Sequence, residues 1–139
     1  MKLSARNQLT AKVAEVKRGA VNSEIIAKLG DGEEIRAMVT LESADALGLV
    51  AGKEAAFIFK APNVIVAKGS DLKISVANQL KASVKEVKKG AVNSEVVTTI
   101  AGKYEAAAII TNESAEALGI NKGDEVTLIV NPSDVIIGA

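Results

Sequence analysis

The sequence predicts an all-β chain: two tandem five-stranded barrels, each carrying one short helix. Three observations carry that expectation. First, the 139 residues are one unit written twice, because an offset of 71 positions lays Ser4-Ala5-Arg6-Asn7-Gln8-Leu9 on Ser75-Val76-Ala77-Asn78-Gln79-Leu80 without a gap. Second, apolar and polar residues alternate with period two inside each copy, the pattern of half-buried strands. Third, 48% of the residues are apolar, yet they include only two Phe, one Tyr and no Trp. An aliphatic, β-branched core of this kind favours strands.

Each element of the first copy follows from local pattern. Leu9 to Val16 alternates through Leu9, Ala11 and Val13 before reaching Val16, Val21 to Leu29 is β-branched between glycines, and Ile35 to Val39 alternates again; all three read as strands. Gly30-Asp31-Gly32 supplies a tight hairpin that tolerates positive φ. From Thr40 the pattern changes. A hydroxyl residue precedes acidic first-turn residues, then Ala and Leu, then Gly48, which is a short helix with a start and a stop. A strand at Glu54 to Phe59, a Pro62-Asn63 kink and a last strand at Val64 to Ala67 complete the copy. The second copy repeats this order, so the expected units are residues 1–68 and 72–139 joined by a linker at 69–71. Five strands with one helix between the third and fourth is the inventory of an OB-type barrel. An SH3-like barrel or a fragment of a β-sandwich shares the short turns and alternation.

Composition excludes much chemistry. Cys and His are absent, which removes disulfides, thiolate nucleophiles, the usual transition-metal ligands and the commonest general base near neutral pH. No enzymatic activity and no cationic metal site is expected. Seventeen Lys and Arg balance seventeen Asp and Glu, so no basic field holds a polyanion. With Phe57, Phe59 and Tyr104 as the only aromatic residues, stacking of single-stranded nucleic acid is disfavoured, although OB barrels often do it. A purely structural interaction module is the other alternative. The repeat begins at Ser4 with no room for a leader, and no apolar run reaches membrane-spanning length, so a cytoplasmic protein without a membrane partner is expected.

Three polar groups recur at the ends of apolar elements. They are Ser4-Ala5-Arg6-Asn7, the turn at Val21-Asn22-Ser23, and Thr40 and Ser43 together with Lys60-Ala61. Hydroxyls, amides, an Arg fork and an ammonium are all donors, the set that a fully ionised tetrahedral oxyanion accepts from. Successive backbone N–H groups in the turn could add a concave nest. Each group also has a plainer reading: Thr40 and Ser43 fit a helix cap, Asn22 and Ser23 fit a turn, and single cations fit solvated surface. Neutral donors are duplicated as Ser75, Asn78, Val92, Asn93, Ser94, Thr111 and Ser114, whereas Arg6 becomes Ala77 and Lys60 becomes Asn131. The charges are therefore asymmetric.

These same segments, Lys2 to Leu9, Gly19 to Glu24 and Thr40 to Gly48, resemble the molybdenum-pterin-binding (Mop) domain, also described as the molybdate-binding TOBE domain, and the resemblance covers the chain twice. A tandem of two is similar to the two-domain molbindins. The resemblance implies an OB barrel per repeat, a homo-oligomer (a trimer holding six barrels), and cytoplasmic storage of molybdate or tungstate at sites between barrels. It places the anion on Ser4, Ala5, Arg6 and Lys60-Ala61, with hydroxyls from a facing barrel at Thr40 and Ser43 or Thr111 and Ser114. Main-chain donors would come from Val21-Asn22-Ser23 and Val92-Asn93-Ser94. Val76-Ala77 and Asn131-Pro132 depart from the family pattern in the second copy.

Overall fold

The computed structural model describes residues 2–69 and 72–139, so linker residues 70 and 71 lie outside the described residues. The first copy forms β1 (Asn7–Arg18), β2 (Asn22–Gly30), β3 (Glu33–Thr40), α1 (Leu41–Ala46), β4 (Glu54–Phe59), a 3-10 turn (Ala61–Asn63) and β5 (Ile65–Ala67). The second repeats it as β6 (Asn78–Lys89), β7 (Asn93–Ile100), β8 (Tyr104–Thr111), α2 (Asn112–Leu118), β9 (Glu125–Val130), a 3-10 turn (Pro132–Asp134) and β10 (Ile136–Gly138).

The interrupted alternation of the first strand has a structural cause. Leu9, Ala11 and Val13 are buried, then the register with β2 shifts between Val13 and Glu15. A bulge there adds one residue and bends the strand. As a result, Asn7 to Lys12 pair with β4 while Val13 to Arg18 pair with β2, so one bent strand serves both halves of a curled sheet. β6 repeats the shift between Val84 and Glu86. At the β2–β3 hairpin, Gly30 pairs with Glu33 and leaves Asp31 and Gly32 as the loop, with φ of 53° and 81°. Two positive φ values in a two-residue loop match the right-handed twist of the flanking strands. A different constraint holds Gly90, where an added Cβ would stand 2.8 Å from the Asn93 carbonyl oxygen.

Two five-stranded antiparallel sheets result, ordered β10-β4-β1-β2-β3 and β5-β9-β6-β7-β8. The sheets therefore do not follow the boundary between 1–68 and 72–139: each takes its fifth strand from the other repeat. Ile65 pairs with Ile129 and Ile136 with Ile58, equivalent positions in near-identical strands, so either fifth strand fits either sheet. The exchange unites two cores that would each be marginal at roughly 70 residues. Phe57 and Phe59 are fully buried beside Val135 and Ile137 in one cluster drawn from both repeats.

Candidate functional site

The β1–β4 ladder builds the first donor group. Asn7 pairs with Phe59, so the segment entering β1, Ala5-Arg6, runs beside the segment leaving β4, Lys60-Ala61. Ser4, Arg6 and Lys60 are exposed, Ala5 is half-buried, and Ala61 is buried. The second copy pairs Asn78 with Val130 and sets Ser75 and Ala77 beside Asn131. Asn131 there accepts from the Ser133 N–H at 3.2 Å and its hydroxyl at 3.0 Å, capping the 3-10 turn.

The β2–β3 ladder builds the second group. Asn22 pairs with Thr40, and the Leu41 N–H bonds the Val21 carbonyl at 3.0 Å, bringing Val21, Asn22, Thr40 and Ser43 together. Thr40 Oγ1 accepts from the Ser43 N–H at 3.1 Å, which is the helix cap that the spacing also fitted. Thr111 and Ser114 repeat it, and both hydroxyl pairs are exposed. The two groups of one copy stand at opposite ends of β1, and Arg18 at its far end pairs with Ser23. Over these eleven steps the strand rises about 3.3 Å per residue, which separates the groups widely.

Three expectations need correction. Asn7 is fully buried, and its amide is committed: Nδ2 donates to the Ala107 carbonyl at 2.8 Å while Oδ1 accepts from the Ala107 N–H at 2.7 Å. It clamps the outer edge of β8, and Asn78 clamps β3 at Arg36 in the same way, with both bonds at 2.8 Å. Such bonds satisfy edge groups that would otherwise be bare. The Ser23 hydroxyl is also buried, on the strand face that carries Ile25 and Ala27 into the core, so it points away from the exposed donors. Ser94 is the same, its hydroxyl donating to Asn112 Oδ1 at 2.6 Å. Finally, no residue from 19 to 24 or 90 to 95 has positive φ, so neither turn forms an alternating αR–αL nest.

Arg6 does not stand free in this structure. Its Nε lies 3.5 Å from Glu95 and its NH2 3.7 Å from Glu105, both in the other repeat. At an offset of 71 these carboxylates correspond to Glu24 and Glu34, which are held by Arg36 at 3.0 and 3.2 Å. Arg36 is the polar residue missed from sequence. The signal was present, since Arg6 faces Ala77 and Arg36 faces Ala107 across the repeat, two reciprocal losses. The first copy's N-terminal segment thus lies against β7 and β8, and the start of β6 lies against β3 of the first copy. Glu95 is two residues past Asn93 along β7, so the first group of one copy approaches the second group of the other.

The TOBE domain model matches residues 3–66 and 74–137. The chain belongs to the TOBE domain family. A stretch of 66 residues, the length of one unit, is 46% identical to molybdenum-pterin-binding protein 3 of Clostridium pasteurianum, covering 48% of this chain and 97% of that protein. Over 99% of its length the TOBE pair is 37% identical to molybdenum-pterin-binding protein MopA of Rhodobacter capsulatus, covering 52% of that protein. The chain spans about half the length of the curated relatives it matches from end to end. It superimposes on the crystal structure of the cytoplasmic molybdate-binding protein ModG with molybdate bound, at a TM-score of 0.93 and 40% identity, covering 100% of this chain and 99% of that one. The paired OB-like TOBE architecture expected from the repeat is borne out.

Proposed function

We propose that this chain is a non-catalytic oxyanion-binding protein that holds molybdate or tungstate for storage and homeostasis in the cytoplasm. The observation that carries the reading is its end-to-end likeness to ModG, crystallised with molybdate bound. The donor chemistry agrees. Ser4, Ala5 and Arg6 run beside Lys60 and Ala61 at one ladder end, offering hydroxyl, main-chain, guanidinium and ammonium donors to a tetrahedral dianion. Thr40, Ser43, Thr111 and Ser114 would add hydroxyls from a facing barrel, and Val21-Asn22 and Val92-Asn93 would add main-chain N–H groups. The anion is the ligand itself and the partner is a further copy of the chain, in a homotrimer.

A nucleic-acid reading has little stacking surface to draw on, because Phe57 and Phe59 are both in the core and the half-buried Tyr104 stands alone. Among the described residues no helix is long and apolar enough to cross a membrane. Elemental analysis of protein purified from cells grown with added molybdate tests the proposal. Molybdenum should copurify in a fixed ratio to protein and survive extensive dialysis. Protein free of molybdenum and tungsten after growth on either would refute it.

A further inference from the structure

We propose that Arg36 supplies to the second repeat's anion site the guanidinium that Ala77 lacks. This rests on the oxyanion reading above. By sequence alone, the second site has lost both of its cations, since Ala77 and Asn131 stand where the first copy has Arg6 and Lys60. The pseudo-symmetry of the structure restores one of them from an unexpected strand.

The Asn clamps define the equivalence. Asn7 bonds the backbone of Ala107, and Asn78, one residue after Ala77, bonds the backbone of Arg36. Position 36 is therefore to Ala77 what position 107 is to Arg6. The guanidiniums then meet at equivalent places, Arg6 on Glu95 and Glu105, Arg36 on Glu24 and Glu34. One arrives from the N-terminal segment, the other from the strand which that segment covers. A guanidinium has five N–H donors, and the two carboxylate contacts leave others to meet an anion beside Ser75 and Ala77.

The two sites are unequal for reasons visible in the same contacts. Glu105 and Glu95 are also met by Lys85 at 3.4 Å and Lys88 at 3.9 Å, so Arg6 is not their sole counter-charge. Among the described residues Arg36 is the only cation paired with Glu24 and Glu34, and its contacts are shorter. Asn131 adds no charge. The Arg36 site is accordingly the weaker class.

Calorimetric titration of the full chain with molybdate tests this, with circular dichroism and light scattering confirming fold and assembly. The wild type should show two classes of site. Arg36→Ala should weaken the lower-affinity class roughly 10- to 100-fold, the scale of a charge-assisted donor, and leave the other class unchanged. Arg6→Ala should do the reverse, and Ala77→Arg should restore the class lost in Arg36→Ala. Glu24→Gln with Glu34→Gln should tighten the weaker class, and this gain should disappear when Arg36→Met is added; a gain that survives without Arg36 would come from lost carboxylate repulsion alone and would count against the inference. If Arg36→Ala does not fold, Arg36→Met with both glutamates changed to Gln removes the unpaired carboxylates and should still lose that class. A folded Arg36 variant that keeps both classes would overturn the inference while leaving oxyanion binding intact. A wild type that binds no molybdate would overturn the oxyanion reading, and this one with it.

Discussion

Small differences between equivalent residues decide what each copy does. Ser94 satisfies its hydroxyl on Asn112, whose Nδ2 in turn donates to the Gly90 carbonyl at 3.0 Å. In the first copy the equivalent of Asn112 is Leu41, and Ser23 Oγ is left as the one buried side-chain polar atom without a partner among the described residues. An unpaired buried hydroxyl costs about 1 to 3 kcal/mol, whereas breaking a satisfied pair strands its partner. Ser23→Ala should therefore leave stability unchanged or raise it, and Ser94→Ala should lower it by about 1 to 3 kcal/mol. Urea denaturation of the two variants checks this. A loss on Ser23→Ala as large as that on Ser94→Ala would show that Ser23 has a partner. Asn7→Ala removes both bonds to Ala107 and leaves a buried N–H and C=O bare, so it should cost about 2 to 4 kcal/mol by the same measurement.

At the level of elements, the exchanged fifth strands hold the two sheets together, and one ion pair fastens an end of that exchange. Lys68, just past β5, reaches Asp124, just before β9, at 3.0 Å and the Gly119 carbonyl at 2.7 Å. The Asp124 carboxyl lies below the usual carboxylate range, held there first by the Asn121 N–H and then by the Lys68 hydrogen bond, against an opposing desolvation effect. A carboxylate whose folded pKa is depressed stabilises the fold above its unfolded pKa of about 3.9 and loses that contribution as pH falls through the folded value. The melting temperature should therefore drop less between pH 7 and pH 3 in Asp124→Asn than in the wild type. Parallel pH profiles for the two proteins would disprove a role for this pair. Of the elements themselves, much was legible: the step from Val13 to Val16 in an otherwise odd-numbered apolar series is the bulge that bends β1. The exchange was not, because Val64-Ile65 and Val135-Ile136 present the same pattern to either sheet and periodicity carries no information about which partner is chosen.

For the whole molecule, exposed apolar residues recur at equivalent positions. Val21 and Val92 are 71% and 70% exposed, and Ile65 and Ile136 are 60% and 65% exposed. Duplicated patches of this kind suit a symmetric assembly, in which each repeat presents the same surface. Light scattering should report a trimer, and Val21→Asp with Val92→Asp should dissociate it and weaken molybdate binding together. A wild-type monomer that binds molybdate at full stoichiometry would refute shared sites. The site was only partly legible in the sequence. Donor types and their duplication could be read directly, but burial could not, and burial is what turned Asn7 and Ser23 from donors into a clamp and a core hydroxyl. Arg36 was hidden for a related reason: its nearness to Ala77 exists only once β1 and β6 lie against the other copy's third strand.

The most direct measurement is an anomalous difference map, recorded at the molybdenum edge from crystals of the full chain grown with molybdate. It should show a molybdenum peak within hydrogen-bonding reach of the Ser4-Ala5-Arg6 segment and Lys60-Ala61, and a weaker one beside Ser75-Val76-Ala77 and Arg36. Ordered crystals with no peak at either place, or with molybdenum only elsewhere, would contradict it.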